Sequence, residues 1–496
     1  MKKKIVIAAL GLAISNGTLQ ANPHQIYARS FMAPRPVYEH LSTQQSLWHD
    51  IVYNKTGPIK GAFRAIGFAQ QSIAMDKTAH YFLPPCTQWV HVAGDSESIP
   101  EPIRCARNIR AEWLGLSDDF VGSFTITPKE KQYGFSVEYN QNLSTFFDLD
   151  LLKSYWVSIA IPFVAAYRSL QLQQHLINAP KPIRSGQPAD IYEAFQQPSW
   201  CYAKIGCETK SVRPAEIRLT IGSSLVSEDY FQFAYNTIFI APTGNKQNGH
   251  ELFQAIAGNN QHFAFGGAIF SQFPLNRNTD CYGFCFFANL ETIFNIRNTQ
   301  HRTLDLRGKP WSRYMLFNQK CGFPNMLQGQ QHIPGVNVLT HKVVVRPYGV
   351  FDFSTGWRLS TPTIEGEIGY NVWGRSNERV LLKTPWNHLC EYQGIYGIAG
   401  TGPNTTASES TIAQQAPNDL DANGFETFTP IDLYDIEPQS AESGSVINQK
   451  IHVSLGTRHE SKNITSFIGG GTYIDIPQKN TSLLAWGAWF TCGASF

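Results

Sequence analysis

The last fourteen residues, Leu483 to Phe496, read LLAWGAWFTCGASF and alternate between two kinds of side chain. Every second residue from Leu484 to Phe496 is apolar, whereas the alternate set is mostly small or weakly polar. A repeat of two is the period of a β-strand, because successive side chains point to opposite faces. A strand in the wall of a lipid-facing barrel needs one apolar face with aromatic residues near its ends. The segment therefore predicts a barrel strand, and a strand of a soluble sandwich is the alternative.

The residue that follows this strand is aromatic as well. A closing strand with Phe496 at its end resembles the C-terminal signature of Gram-negative outer-membrane β-barrels. The resemblance implies a location in the cell outer membrane, with outer-membrane lipid and lipopolysaccharide as surroundings. It also implies that the barrel-assembly machinery recognises the strand that ends at Phe496.

Composition narrows the class of protein. The 496 residues are enough for one large barrel, and the net charge of +2 gives no reason to expect a nucleic-acid partner. Charged residues make up 16% of the chain, against about a quarter in typical soluble domains. Aromatic residues reach 13%. This mixture favours a β-rich membrane wall with polar loops over a helical enzyme.

The N-terminus carries the features of a secretory signal peptide over residues 1–21. Three lysines precede the apolar run Ile5 to Ile14, and small and polar residues then lead to Ala21, after which we expect cleavage. The run is too short to span a bilayer as a helix, and no later segment reaches about eighteen consecutive apolar residues. Residues 22–60 contain Pro23, Pro34 and Pro36, among other prolines, and precede the first predicted strand. They are expected to form a periplasmic N-terminal segment or to plug the lumen.

Alternating segments recur along the rest of the chain, and the gaps between them sort by length. Walking back from Phe496, the short gaps lie near 117–119, 145–153, 227–229, 274–281, 354–357 and 461–463. The other set contains nearly all the long gaps, at about 75–105, 169–214, 242–260, 297–340 and 374–448, and two short ones near 129–132 and 477–482. Residues 189–197 look like a short helix within one of the long gaps. Short turns on one rim and long loops on the other are typical of outer-membrane barrels.

These patterns predict an all-β, antiparallel transmembrane β-barrel over residues 61–496, with short periplasmic turns and long extracellular loops. About fourteen strands are expected, within a range of twelve to sixteen, and a long external loop is expected near 374–448. The fourteen segments are 61–74, 106–116, 120–128, 133–140, 157–163, 217–222, 231–239, 263–269, 282–286, 341–353, 364–372, 451–455, 464–476 and 483–496.

Charged residues alternate with the apolar ones in several of these segments. Unpaired charges are prohibitive in an apolar core, but in a barrel lumen they can pair or meet water. The sequence leaves open whether they line an open channel or form a closed polar core. Tryptophans near strand ends predict aromatic girdles, with ordinary core positions as the alternative; they are Trp113, Trp156, Trp357, Trp373, Trp486 and Trp489. The candidate lumen-lining residues are Arg110, Glu112, Glu138, Arg218, Glu365, Glu367 and His452.

Nine cysteines fit an oxidising compartment. The candidate local disulfides are Cys86 with Cys105 and Cys201 with Cys207, while the connectivity of the others stays open.

The run from Asp419 to Gly424 resembles the first half of a calcium loop, but proline replaces the closing glutamate. No G-x-S-x-G motif occurs and no Ser/His pair is marked by spacing. We therefore expect no metal, no cofactor and no catalytic residue, and hence not an enzyme.

The turn Pro242-Thr243-Gly244-Asn245, together with the strand count, resembles the outer-membrane barrels that transport hydrocarbons and fatty acids, including those of the aromatic-degradation type. The N-terminal hatch motif of the long-chain fatty-acid transporters has no clear match. The function expected is therefore an outer-membrane channel or transporter for small solutes, by passive or facilitated passage. The alternative is a surface structural or adhesion protein that uses the barrel as an anchor, with a filled lumen.

Overall fold

A computed structural model describes most of the chain. It covers residues 28–39, 61–84, 87–143, 155–182, 185–228, 230–276, 283–320, 331–347, 349–382, 395–398, 412–413, 431–461 and 464–496. The signal peptide over 1–21 and the half calcium loop that begins at Asp419 lie outside these residues, so both stay predictions.

Twelve antiparallel strands close into a barrel, each paired with its neighbour in chain order and the first paired with the last. Their closure joins Gly61 to Phe496 through two backbone hydrogen bonds of 2.8 and 2.9 Å. The predicted fold class is confirmed, and the strand number falls at the lower end of the expected range. The strands are β1 (Gly61–Ile73), β2 (Lys129–Asn142), β3 (Tyr155–Ser169), β4 (Glu216–Glu228), β5 (Phe231–Pro242), β6 (Ala264–Asn276), β7 (Gly283–Asn295), β8 (Gly349–Ser360), β9 (Ile364–Arg375), β10 (Val446–Glu460), β11 (Thr465–Pro477) and β12 (Leu484–Ser495).

The apolar alternate residues of these strands face outward. In β12, Trp486 and Phe490 are about half exposed, whereas Trp489 on the other face is buried. Rings on neighbouring strands also contact one another across the outer surface, as between Phe135 and Phe163, whose centroids lie 5.0 Å apart. An apolar exterior around a polar interior is the arrangement that lipid selects, because the bilayer core solvates no polar side chain.

The two rims differ as the sequence predicts. One rim, the turn rim, carries the connections 143–154, 229–230, 277–282, 361–363 and 461–464. The opposite rim, the loop rim, carries 74–128, 170–215, 243–263, 296–348, 376–445 and the short 478–483. β1 begins and β12 ends at the turn rim. The predicted turn at 354–357 is wrong, because these residues lie inside β8 and the chain reverses at 361–363 instead.

Two of the fourteen predicted segments, 106–116 and 120–128, are not barrel strands. The first contains the end of a helix, Glu101–Ala106, then a two-residue strand, Ile109–Arg110, and a 3₁₀ turn, Ala111–Leu114. The second, Val121–Ile126, is a strand of a small sheet at the loop rim. Their apolar residues pack against other loops, and an alternating pattern does not reveal what its apolar face is buried against.

The long connections of the loop rim form one folded layer, which we call the cap; it comprises the described residues of 74–128, 170–215, 243–263, 296–348 and 376–445. No helix in the described part of the chain is long and apolar enough to cross a membrane. The cap strands outside the barrel are Val90–Ala93, Ile109–Arg110, Val121–Ile126, Leu172–Asn178, Thr209–Pro214, Asn298–Thr303, Asp305–Leu306, Leu316–Lys320, Gln331–Pro334, Thr340–Arg346, Arg379–Leu382, Ile395–Ile398 and Ile436–Glu437. The helices are Asp76–Ala79, Glu101–Ala106, Ile191–Phe195 and Gly335–Val338, with 3₁₀ turns at Ala111–Leu114, Ser312–Tyr314, Leu433–Asp435 and Pro438–Ala441.

An aromatic cluster holds the cap together. Phe195 has its ring centroid 5.2 Å from that of Tyr314 and 5.3 Å from that of Phe124, and Trp311 lies 5.0 Å from Tyr314. All four side chains are buried, at 1% exposure or less. Ile191–Phe195, which presents Phe195, lies within the helix predicted at 189–197, and Asp190 caps it by accepting the Glu193 backbone N–H. The cap thus has an apolar core of its own.

Candidate functional site: the lumen and the segment inside it

The first described residues lie at the loop rim, within the cap. The backbone N–H groups of Ala28 and Arg29 donate to the carbonyls of Leu83 and Tyr81, at 3.0 and 2.9 Å. The next N–H, of Ser30, donates to a cap carbonyl at 2.8 Å. β1 begins at the opposite, turn rim.

Residues 32–39, which we call the plug segment, lie inside the barrel. Val37 N–H donates to Gln132 Oε1 of β2 at 3.0 Å, and the Tyr38 hydroxyl lies 3.3 Å from Glu216 Oε2 of β4. Arg35 reaches strands on the opposite side of the ring. A short 3₁₀ turn, Val37–Glu39, packs against β1 and β2. The described part of 22–60 therefore runs from the cap into the lumen.

Arg35 fastens the plug segment to the wall. Its Nη2 donates to Asp352 Oδ2 of β8 at 2.8 Å, and its Nη1 donates to Asn371 Oδ1 of β9 at 2.9 Å. Asp475 Oδ2 of β11 lies 3.8 Å from Nη1. The guanidinium also lies 5.5 Å from the ring centroid of Trp373. Charge-assisted bonds of this kind are about twice as strong as neutral ones, so Arg35 is the main polar anchor of the plug segment.

Lys450 of β10 adjoins the same groups. Its residue position is paired with that of Asp475 across β10 and β11, and its ammonium lies 4.3 Å from the ring centroid of Tyr473. Among the described residues, Lys450 Nζ and Asp475 Oδ1 have no hydrogen-bond partner, and both side chains are buried. Arg35, Lys450, Asp352 and Asp475 together form what we call the charge cluster, which has two basic and two acidic side chains.

Most other inward acids are paired within the wall itself. Glu138 accepts from Arg64 of the neighbouring strand, and Glu367 Oε1 lies 3.0 Å from His452 Nε2. Further wall pairs follow the same pattern; they are Arg358 with Glu367 (3.3 Å), Arg458 with Glu365 (3.1 Å), Arg218 with Glu291 (2.5 Å) and Arg168 with Glu130 (2.6 Å). Pairing lets the lumen hold charge at low solvent exposure.

Five of the seven candidate lumen-lining residues face the lumen: Glu138, Arg218, Glu365, Glu367 and His452. The structure brings Glu367 and His452 into contact. Arg110 and Glu112 are elsewhere, since they lie in the cap, where Arg110 Nη2 is 3.0 Å from Glu112 Oε1. Their prediction as lumen residues is wrong because it depended on the strand 106–116, which does not form.

The residues that sequence reasoning missed share the inward parity of those it found. In β8, Asp352 and Arg358 fall on one alternate set, and in β10 Lys450 precedes His452 by two positions. Parity could have found them. Arg35 lies outside any strand and carries no such signal.

The six predicted girdle tryptophans divide into three groups. Trp357 and Trp486 face outward, and Trp113 is buried in the cap. Trp156, Trp373 and Trp489 lie on inward positions and fill the lumen.

The space beside the plug segment is small. A cavity of about 60 Å³ lies between Phe31, Pro34, His262 and Trp373. That volume holds about four water molecules. A hydrated solute needs more room than this cavity provides.

His262 at the edge of this cavity is held neutral. Its Nδ1 lies 2.8 Å from the Ile296 carbonyl and its Nε2 lies 3.0 Å from the Gln300 amide nitrogen. The ring therefore donates from Nδ1 and accepts at Nε2, and burial lowers its pKa.

Arg302 lies nearby. Burial lowers its pKa to about 10, although the charge of Glu378 opposes this, and its guanidinium lies 3.2 Å from the ring centroid of Phe31.

The predicted pairing of Cys201 with Cys207 is not formed in the structure. Both cysteines are exposed and carry no disulfide, and Cys207 Sγ lies 3.5 Å from Gln196 Oε1. Cys105 carries no disulfide, and its proposed partner Cys86 lies outside the described residues. Within the described residues, no group of three or more His, Cys, Asp or Glu is arranged to hold a metal ion.

Comparisons with known proteins find similarity in structure alone. No family model matches the chain, and no curated protein matches its sequence. An outer membrane channel from Pseudomonas putida F1 is 8% identical, with a TM-score of 0.33, over 89% of this chain and 99% of that one. The transport unit of the autotransporter AIDA-I from Escherichia coli is 7% identical, with a TM-score of 0.31, over 92% and 96%.

A Pseudomonas aeruginosa FadL homologue is 8% identical, with a TM-score of 0.28, over 88% of this chain and 90% of that one. The matches thus include the class of barrel that the Pro242–Asn245 turn resembles. At these identities and scores they carry no argument about function, which has to come from the lumen itself.

Proposed function

We propose that this chain is an outer-membrane channel or transporter for small solutes whose lumen is closed, in the conformation described, by the plug segment. The main observation behind the proposal is that a separate stretch of chain, the plug segment, occupies the lumen near the loop rim in addition to the side chains of the wall. The wall around it is polar and charged. Displacing the plug segment would leave a passage lined by groups that water and polar solutes can contact.

The surroundings of the barrel follow from the same proposal. The apolar outer band would contact outer-membrane lipid, and the cap would stand on the external face beside lipopolysaccharide. Assembly would depend on β12, which ends next to Phe496. The turn rim, with its short connections, would face the periplasm.

Planar bilayers test the channel. The purified full chain should give low conductance, and Arg35→Ala should raise it, because the change removes the main polar anchor of the plug segment. Arg307→Ala, which removes the same charge from an exposed position of the cap, is the matched control and should conduct like the unmodified chain. A folded Arg35→Ala variant that stays silent would reject the channel.

Ion selectivity tests the lumen residues. Glu367→Gln removes one acid from the wall and leaves Arg358 and His452 beside it. Glu138→Gln likewise leaves Arg64. Each change should shift the reversal potential of the Arg35→Ala channel toward anions. Equal selectivity before and after both changes would show that ions do not pass along this wall.

A surface structural or adhesion role is the second candidate, and the cap favours it. Five connections fold around one apolar core, which a simple pore would not require. This role predicts that the cap of the intact chain binds a partner, while every variant of the plug segment remains closed. Conductance of Arg35→Ala in the absence of any surface binding would remove it.

A further inference from the structure

The charge cluster differs from the rest of the lumen wall in where its positive partner comes from. The acids of the other inward ion pairs have arginines or histidine on barrel strands, so those pairs remain when the plug segment moves. Asp352 and Asp475 are instead met by Arg35, which belongs to the plug segment. Movement of the plug segment therefore takes the arginine away from these two acids, whereas Glu216, the wall acid that meets Tyr38, loses only a hydroxyl partner.

We infer that the place occupied by Arg35 is a binding site for the guanidinium or ammonium group of a cationic solute. This inference rests on the proposed transport function and names the class of solute that it would carry. The wall supplies what such a group needs: a carboxylate oxygen at 2.8 Å, an amide oxygen at 2.9 Å and an aromatic face at 5.5 Å. Arg35 fills the site as an internal copy of that solute.

Charge balance favours the same occupant. Without Arg35, the described members of the cluster are two aspartates and one lysine, so the acidic groups outnumber the basic ones. A buried net charge is costly unless it is neutralised. Asp475 Oδ1 and Lys450 Nζ have no hydrogen-bond partner among the described residues and are buried at the same place. A cation at this place reduces the excess of acidic groups, whereas an anion would add to it.

Competition between solute and plug then links binding to opening. A solute cation that enters the site displaces Arg35 from Asp352, and the plug segment loses its main anchor. Both cations cannot occupy the site together, because Arg35 already uses the acceptors of Asp352 and Asn371. Cationic solutes are therefore expected to pass in preference to neutral solutes of the same shape.

Chemical rescue of Arg35→Ala tests the site directly. Ethylguanidinium should bind in the vacated position, and ethylurea, which has a similar shape without the charge, is the matched probe. Ethylguanidinium should reduce the conductance of Arg35→Ala at a concentration about tenfold lower than ethylurea needs, since the charge-assisted bonds are worth roughly one decade or more of affinity. In Arg35→Ala/Asp352→Asn, which removes the carboxylate that lies 2.8 Å from the guanidinium, this difference should disappear.

A second readout separates this inference from the proposed function. Ethylguanidinium should raise the thermal unfolding midpoint of detergent-solubilised Arg35→Ala more than ethylurea does, whether or not the variant conducts. If Arg35→Ala fails to fold, Arg35→Gln keeps most of the length of the side chain and removes the charge. Conductance without any preference for ethylguanidinium would overturn the site and leave the channel. The preference without conductance would overturn the channel and leave the site.

Transport by the unmodified chain gives an independent comparison. Proteoliposomes should take up L-arginine faster than L-citrulline, which has the same shape but a neutral urea group. Equal uptake of the two would overturn the preference for cations. An equal loss of both rates in Asp352→Asn would do the same, because a merely structural change at this position would not distinguish the solutes.

Discussion

The pair formed by Asp305 and Arg313 should decide the stability of the cap. Asp305 Oδ2 lies 2.7 Å from Arg313 Nη2, and both side chains are buried. Asp305 also accepts the backbone N–H groups of Trp311 and Arg313, at 3.2 and 3.0 Å. The same Nη2 donates to the Ala28 carbonyl, so the pair fixes the point at which the chain enters the lumen.

The magnitude follows from burial. Burial raises the pKa of Asp305 even though Arg313 lowers it, which means that desolvation outweighs the attraction between the two charges. Removing one partner leaves the other charged and buried, at a cost of about 3–5 kcal/mol. Asp305→Ala should therefore lower the free energy of unfolding of the cap by that amount. Asp305→Ala/Arg313→Met should cost about 1–3 kcal/mol less than the sum of the single changes.

Tryptophan fluorescence during urea unfolding measures this effect, because Trp311 and Trp200 lie in the cap core. Circular dichroism of the β-signal reports the barrel in the same samples. The fluorescence midpoint of Asp305→Ala should fall while the circular dichroism midpoint stays within error of the unmodified chain. An additive double variant, or an unchanged fluorescence midpoint, would refute the reasoning about desolvation. A joint shift of both midpoints would show that cap and barrel unfold as one unit.

Three further changes give separate tests. Burial lowers the pKa of His341 from 6.5 to about 4. The contribution of this residue to the stability of the cap is therefore greatest above pH 6.5, and on the order of 3 kcal/mol of unfolding free energy should be lost as the pH falls toward 4. His341→Gln should reduce this loss when the unfolding free energy is measured against pH. Gly244→Ala should destabilise by about 1–3 kcal/mol, because its Cβ would lie 1.8 Å from the Ala257 carbonyl oxygen, while Gly67→Ala, which meets nothing within 4 Å, should be neutral in the same urea titration. Phe490→Arg on the outer face of β12 should cost about 2–4 kcal/mol in lipid vesicles but much less in detergent with loose packing; equal stability in vesicles would contradict an outer face in contact with lipid.

Local pattern explains which predictions succeed. The alternation in β2, β9 and β12 shows which side chains face outward, because a strand presents two faces wherever it lies. The same parity locates Glu138, Glu367 and the other lumen acids. It fails for 106–116 and 120–128, since their apolar faces pack in the cap, and the pattern carries no information about the partner surface. The barrel has two strands fewer than predicted. Because two is an even number, the other connections keep the rims to which the sequence assigned them.

An antiparallel β-barrel with an apolar exterior, a polar interior and unequal rims can be predicted from the residues alone, because side-chain period and connection length are properties of neighbouring residues. The entry of a segment before the first strand into the lumen becomes visible only in three dimensions. Arg35 and Asp352 are separated by 317 positions, and their contact exists because closure of the ring sets the wall and the cap sets the entry point. Long-range pairing of this kind depends on register and chain threading, neither of which leaves a periodic trace in the residues concerned.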